Sequence, residues 1–135
     1  EARFEAMECP CCSGKPYEQC CEPLLAGRVP AASPEALMRS RYTAFATSNF
    51  DYVWDTTDPK YRDEFSHAAN CDWMSSSLFT GLQVLAASDN GKEGTVEFIA
   101  RFRRGPNPEA RHHERSRFRM RKGRWLFCEG DVIGG

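Results

Sequence analysis

The sequence has no run of about 18 apolar residues, so no part of it reads as a helix that crosses a bilayer. Its opening residues, EARFEAME, lack the basic start and apolar stretch of a secretory signal, which gives the expectation of a cytoplasmic protein, with Met7 as a candidate natural start. Charge of neither sign dominates. The 18 Lys and Arg stand against 19 Asp and Glu, so there is no global pull toward nucleic acid or an anionic membrane. Also missing are a Gly-rich phosphate loop, an HExxH pair, a nucleophile elbow, internal repeats and low-complexity segments. These absences remove the familiar signatures of nucleotide, zinc-protease and hydrolase chemistry.

Cysteine, by contrast, is concentrated. Five of the seven cysteines fall in CPCCSGKPYEQCC, residues 9–21. Disulfides fit poorly here: seven is odd, Cys20 and Cys21 are adjacent, and thiols stay reduced in the expected compartment. With Cys12 set aside, the spacing is C-x-C, eight residues, then C-C, which suits a tetrahedral Zn²⁺ held by Cys9, Cys11, Cys20 and Cys21. Ser13-Gly14-Lys15-Pro16 supplies the turn that returns the second pair, and Lys15 with backbone N–H groups can offset the thiolate charge. A metal closed by four protein ligands has no open position, so its expected role is structural.

The remainder divides in two. Ser33-Pro34-Glu35 reads as an N-cap, a first helical residue and a first-turn acid, opening a helix to about Ser48 with Leu37, Met38, Tyr42 and Phe45 on one stripe. NFDYVWDTT reads as a second short helix, Asp58-Pro59 as the start of a third helical turn through Phe65, and SHAANCDWMSSS as a loop or ragged helix. From Leu78 the period changes to strands, with turns at SDNG, GPNP and KG. Val96, Phe98, Ala100 and Phe102 share one strand face. In the next strand Arg115, Arg117, Arg119 and Arg121 lie on the face opposite Glu114, Ser116, Phe118 and Met120. Helices followed by an antiparallel meander make an α+β domain.

Two resemblances follow from these motifs. CPCCSGKPYEQCC resembles the SEC-C motif, the zinc knuckle at the C-terminus of the SecA translocation ATPase, with Cys9, Cys11, Cys20 and Cys21 at its ligand positions and Ser13-Gly14 in place. Cys12 departs from it, since the motif usually has Gly there, and this places a spare thiol beside the second ligand. EALMRSRYTAF, HERSRF and GRWLF, in this order after a knuckle, resemble the YchJ family of uncharacterised bacterial proteins. That resemblance implies a knuckle over residues 7–24 and, over 25–135, a nuclear-transport-factor-2-like domain, a curved antiparallel sheet wrapped on about three helices to form a cone with a cavity.

Three function classes follow, in this order. The first is an adapter using the knuckle to contact a protein or the ribosome, as the SecA resemblance implies. The second is a small-molecule binder or enzyme using the cone cavity. The third is RNA binding through residues 101–124, where ten Lys or Arg face only Glu109 and Glu114. For the cavity, Arg41 lies between Leu37 and Phe45 on the inward stripe and needs a partner, which Glu114 and Ser116 could supply, with Tyr42 and Trp54 as apolar walls. His112 and His113 read as surface or structural residues, Cys71 and Cys128 as small buried apolar ones, and Trp54, Trp73 and Trp125 as core or cavity lining.

Overall fold

The computed structural model describes residues 8–64 and 67–133. Among the described residues four helices, α1 (Glu22–Leu25), α2 (Pro34–Ala46), α3 (Phe50–Asp55) and α4 (His67–Ser76), precede four strands, β1 (Leu78–Asp89), β2 (Glu93–Arg103), β3 (Ala110–Arg121) and β4 (Arg124–Val132). The strands form one antiparallel sheet in sequence order. This is the expected α+β architecture. None of the helices among the described residues is long and apolar enough to cross a membrane.

Helix α2 is the axis of the molecule. Ser33 caps it, its Oγ accepting from the Ala36 N–H at 3.1 Å, and Pro34 fills the first helical position. Leu37, Met38, Ser40, Arg41, Tyr42, Thr43 and Ala44 are all buried, more than one apolar stripe would require. The reason is that α2 is covered on two sides, by the sheet and by the cysteine knuckle. Cys9, Cys11 and Cys21 belong to the same packed cluster as Leu37, Tyr42, Phe98, Phe118 and Trp125.

The expected third helical turn is a 3-10 segment, Pro59–Glu64, whose predicted end at Phe65 lies outside the described residues. SHAANCDWMSSS contains a helix, α4. Few of its side chains are apolar, so no stripe announces it. It is placed by Trp73, whose ring packs 5.2 Å from Phe45 and 5.4 Å from Phe79, and by buried Met74. The chain between α3 and the 3-10 segment covers β4: Phe127 N donates to Thr56 O and Asp58 N donates to Phe127 O, each at 2.8 Å. This leaves no unpaired edge at that stretch of β4 and carries Asp58, fully buried, to Arg119 and Arg121.

Candidate ligand cavity and metal centre

The knuckle is built by short-range backbone bonds. Cys12 N donates to Cys9 O at 3.1 Å and Cys9 N to Lys15 O at 2.9 Å, which closes the first turn. A single 3-10 turn, Tyr17–Gln19, then leads into Cys20 and Cys21. The sulfurs of Cys9, Cys11, Cys20 and Cys21 all lie within 4.8 Å of one another, with Cys11–Cys20 at 3.5 Å and Cys20–Cys21 at 4.0 Å. Four sulfurs about 2.3 Å from one centre would be roughly 3.8 Å apart, so the donor set and its spacing fit a tetrahedral metal. Crowding polarises the thiols. The hydrogen bond from Cys21 draws Cys11 down to about 4 against the opposing effect of burial, while that bond and burial push Cys21 up.

Groups from outside the motif complete the site. The hydroxyl of Thr43, buried on α2, lies 3.4 Å from the Cys21 sulfur and 3.8 Å from that of Cys9. Ser13 Oγ lies 3.1 Å from Cys20 Sγ. The cation that approaches is Arg39, whose Nη1 donates to Cys11 O at 2.7 Å, whereas Lys15 is exposed. Cys12 stands apart from the four. Its φ of 64° is the left-handed conformation that explains a glycine preference there, and its sulfur accepts from Leu82 N on β1 at 3.4 Å.

On the other side of α2 the sheet curls around a cavity of about 450 Å³. Its walls are largely aromatic and aliphatic, including Met38, Phe45, Trp73, Phe98 and Phe118. Among the expected cavity residues, Arg41, Tyr42, Glu114 and Ser116 line it. Trp54 does not. It stacks on Phe50, with the Arg62 guanidinium 5.0 Å from its ring centre. Trp73 of α4 supplies the tryptophan wall instead, and Trp125 lies in the core.

Arg41 and Glu114 share the cavity without a direct ion pair. Arg41 Nη1 donates to Val53 O at 2.9 Å, Thr56 Oγ1 at 2.7 Å and Thr57 Oγ1 at 3.3 Å, and its Cζ sits 4.4 Å from the Phe127 ring centre. Burial pushes its pKa down to about 10, which leaves it cationic at neutral pH. Glu114 accepts from Ser116 Oγ at 2.5 Å and pairs with His112 Nε2 at 2.7 Å. Burial acts to raise the Glu114 pKa, but these two hydrogen bonds and the His112 and Arg41 charges outweigh it, and the net shift is downward.

His112, expected to be a surface or structural residue, is part-buried and lines the cavity between Trp73 and Phe98, with ring centres 5.2 and 6.2 Å away. The period-two alternation that placed Glu114 and Ser116 inward also places His112 inward, so the signal was present. His113, on the opposite face, bonds Glu97 at 2.7 Å. Cys128 is buried, its thiol pushed up to about 11, as expected of a small inert residue, while Cys71 is only half-buried.

The arginine-rich face is largely neutralised from within. Arg115 meets Glu97 at 3.7 Å, Arg117 meets Glu129 and Asp131 at 3.0 and 2.7 Å, and Arg119 and Arg121 share Asp58. Arg101 and Arg111, opposite each other across β2 and β3, have no acidic partner among the described residues.

Residues 33–130 match the family model described as YchJ, middle NTF2-like domain. A UPF0225 protein of Geobacter sulfurreducens is 42% identical over 125 residues, covering 90% of this chain and 77% of that protein. The solution structure of a SEC-C motif containing protein from Rhodopseudomonas palustris is similar at a TM-score of 0.87 and 58% identity, covering 95% of this chain and 100% of that one. A crystal structure of another SEC-C motif containing protein, from Psychrobacter arcticus, gives a TM-score of 0.78 and 29% identity, covering 94% and 83%.

Proposed function

The chain belongs to the YchJ (UPF0225) family, and from that premise we propose that it binds a small, mainly apolar molecule in the cone cavity, with the cysteine knuckle as a structural Zn²⁺ site. The observation that carries this reading is convergence. Arg41, His112, Glu114 and Ser116 meet on a wall that is otherwise aromatic and aliphatic. A concave apolar site with a few placed polar groups is the usual form of a small-ligand pocket, and about 450 Å³ falls within the usual size range. Zn²⁺ would be held by Cys9, Cys11, Cys20 and Cys21, fixing the knuckle against Thr43 and Arg39 of α2.

We rank the cavity ahead of the adapter reading. Among the described residues the exposed large apolar side chains are Val29, Leu78, Leu85 and Val132, none of them in the knuckle. Its outward positions, Glu8, Pro10, Cys12, Gly14, Lys15, Glu18 and Gln19, offer no apolar anchor for a partner. The RNA reading is weakened by the acids paired with Arg115, Arg117, Arg119 and Arg121.

Titration of ¹⁵N-labelled protein with benzoate, benzamide and indole tests the proposal. Saturable shifts are expected at Phe98, His112, Ser116 and Phe118. Shifts confined to the knuckle turn, or no saturable shift, would contradict it.

A further inference from the structure

We infer that the cavity's ligand is a small organic monoanion, a carboxylate on an apolar body, received by Arg41. This deepens the reading of the cavity as a ligand site and rests on it.

Arg41 is 6% exposed and lines the cavity. A guanidinium carries five N–H donors. The two on Nη1 are taken up by Val53 O, Thr56 Oγ1 and Thr57 Oγ1, all neutral acceptors. Nη2 and Nε have no acceptor among the described residues. No buried side-chain nitrogen among them is left without a partner, so Nη2 and Nε of this cavity-lining side chain are not sealed from solvent. Their donors form the edge that matches a carboxylate in a two-point pair.

Neither carboxylate of the cavity lining fills that role: Glu129 pairs with Arg117 at 3.0 Å, and Glu114 is held by its own neighbours. Both Glu114 oxygens are engaged, Oε1 by His112 and Oε2 by Ser116, and no ion pair joins it to Arg41. The hydrogen-bond partners of Arg41 are all neutral and Glu114 acts on it only through space, so the free edge is left for water or for a ligand's anion. Glu114 also limits the ligand's charge, because a second negative group would meet the carboxylate already present. The rings of Tyr42, Trp73, Phe98 and Phe118 would cover the apolar body. An amide isostere can accept from only one of the two N–H groups and sets its own NH2 against the other, so it should bind more weakly than the acid.

Matched acids and amides distinguish this from the broader reading. Wild-type protein is titrated at neutral pH with benzoate and benzamide, phenylacetate and phenylacetamide, and hexanoate and hexanamide, following ¹⁵N shifts of the cavity residues. Each acid should bind at least tenfold more tightly than its amide, and succinate should bind more weakly than hexanoate. In Arg41→Gln the preference should vanish through loss of acid affinity alone. The wild-type pairs decide the matter even if that variant does not fold. Equal binding of acids and amides in the cavity would overturn the anion inference and leave the cavity reading intact. Acids shifting only Arg101 and Arg111 on the outer face would overturn it too. If no probe binds, both readings fall.

Discussion

Gly130 makes room for Glu114. The two lie on neighbouring strands, Gly130 directly opposite Ser116, and a Cβ at position 130 would run into the Glu114 carboxylate. A glycine within a strand ordinarily weakens it, so this one marks a close approach. The polar wall of the cavity thus depends on a missing side chain one strand away.

Gly130→Ala should expel Glu114 from its bonds with His112 and Ser116. The expected cost is about 1–3 kcal/mol, as for other overpacked sites, read from the urea midpoint. Gly81→Ala is the control, since nothing lies within 4 Å of a Cβ there. Equal effects from the two substitutions would show that the Gly130 contact has no special weight.

Glu114 also gives a pH signature. Its folded-state pKa is depressed, because the hydrogen bonds from His112 and Ser116 and the nearby charges outweigh burial. Such a group contributes stability that is complete above the unfolded value of about 4.3 and is lost as pH falls through the folded value. Glu114→Gln should therefore cost about 1–3 kcal/mol at pH 7, the scale of a hydrogen bond to a charged group, and progressively less below pH ~4. Denaturant curves of the two proteins should converge on acidification. A gap that widens at low pH would contradict the assignment.

At the knuckle, Cys12→Gly should keep one metal per chain and raise stability by up to about 1 kcal/mol, because φ is 64° there. Cys11→Ser should reduce metal content. Elemental analysis of the two variants decides between the thiols, and the opposite pattern would make Cys12 the second ligand.

Thr43→Val removes a hydroxyl between the sulfurs of Cys9 and Cys21 without changing shape. Metal affinity should fall about 10–100-fold, as for other outer-shell partners, measured by competition with a chromogenic chelator. Stripping the metal altogether should lower the melting temperature of the whole domain in one transition, because Cys9, Cys11 and Cys21 share a core with Leu37 and Tyr42. A knuckle that melts separately while the rest keeps its melting temperature would contradict that shared core.

Much of this was legible in the residues. Ser33-Pro34-Glu35 marked the start of α2, and the alternation in β3 sorted its arginines from Ser116 and Phe118. His112 obeys the same alternation and was legible from it, while its ring contacts with Trp73 and Phe98 come from packing that no local pattern gives. The Arg41 partners were not legible, since a carboxylate was the natural expectation and neutral acceptors from α3 and the residues after it serve instead. Trp54 and Trp73 look alike in sequence, and the weakly patterned α4 decides which reaches the cavity. The space at Gly130 is a tertiary fact with no local signal.

A crystal structure of the protein grown with benzoate would show directly whether Arg41 receives a carboxylate in the cavity. The carboxylate should lie within hydrogen-bond reach of Arg41 Nε and Nη2, and the ring among Trp73, Phe98 and Phe118. Benzoate bound only at Arg101 and Arg111, or on the knuckle, with the cavity holding water alone, would contradict it.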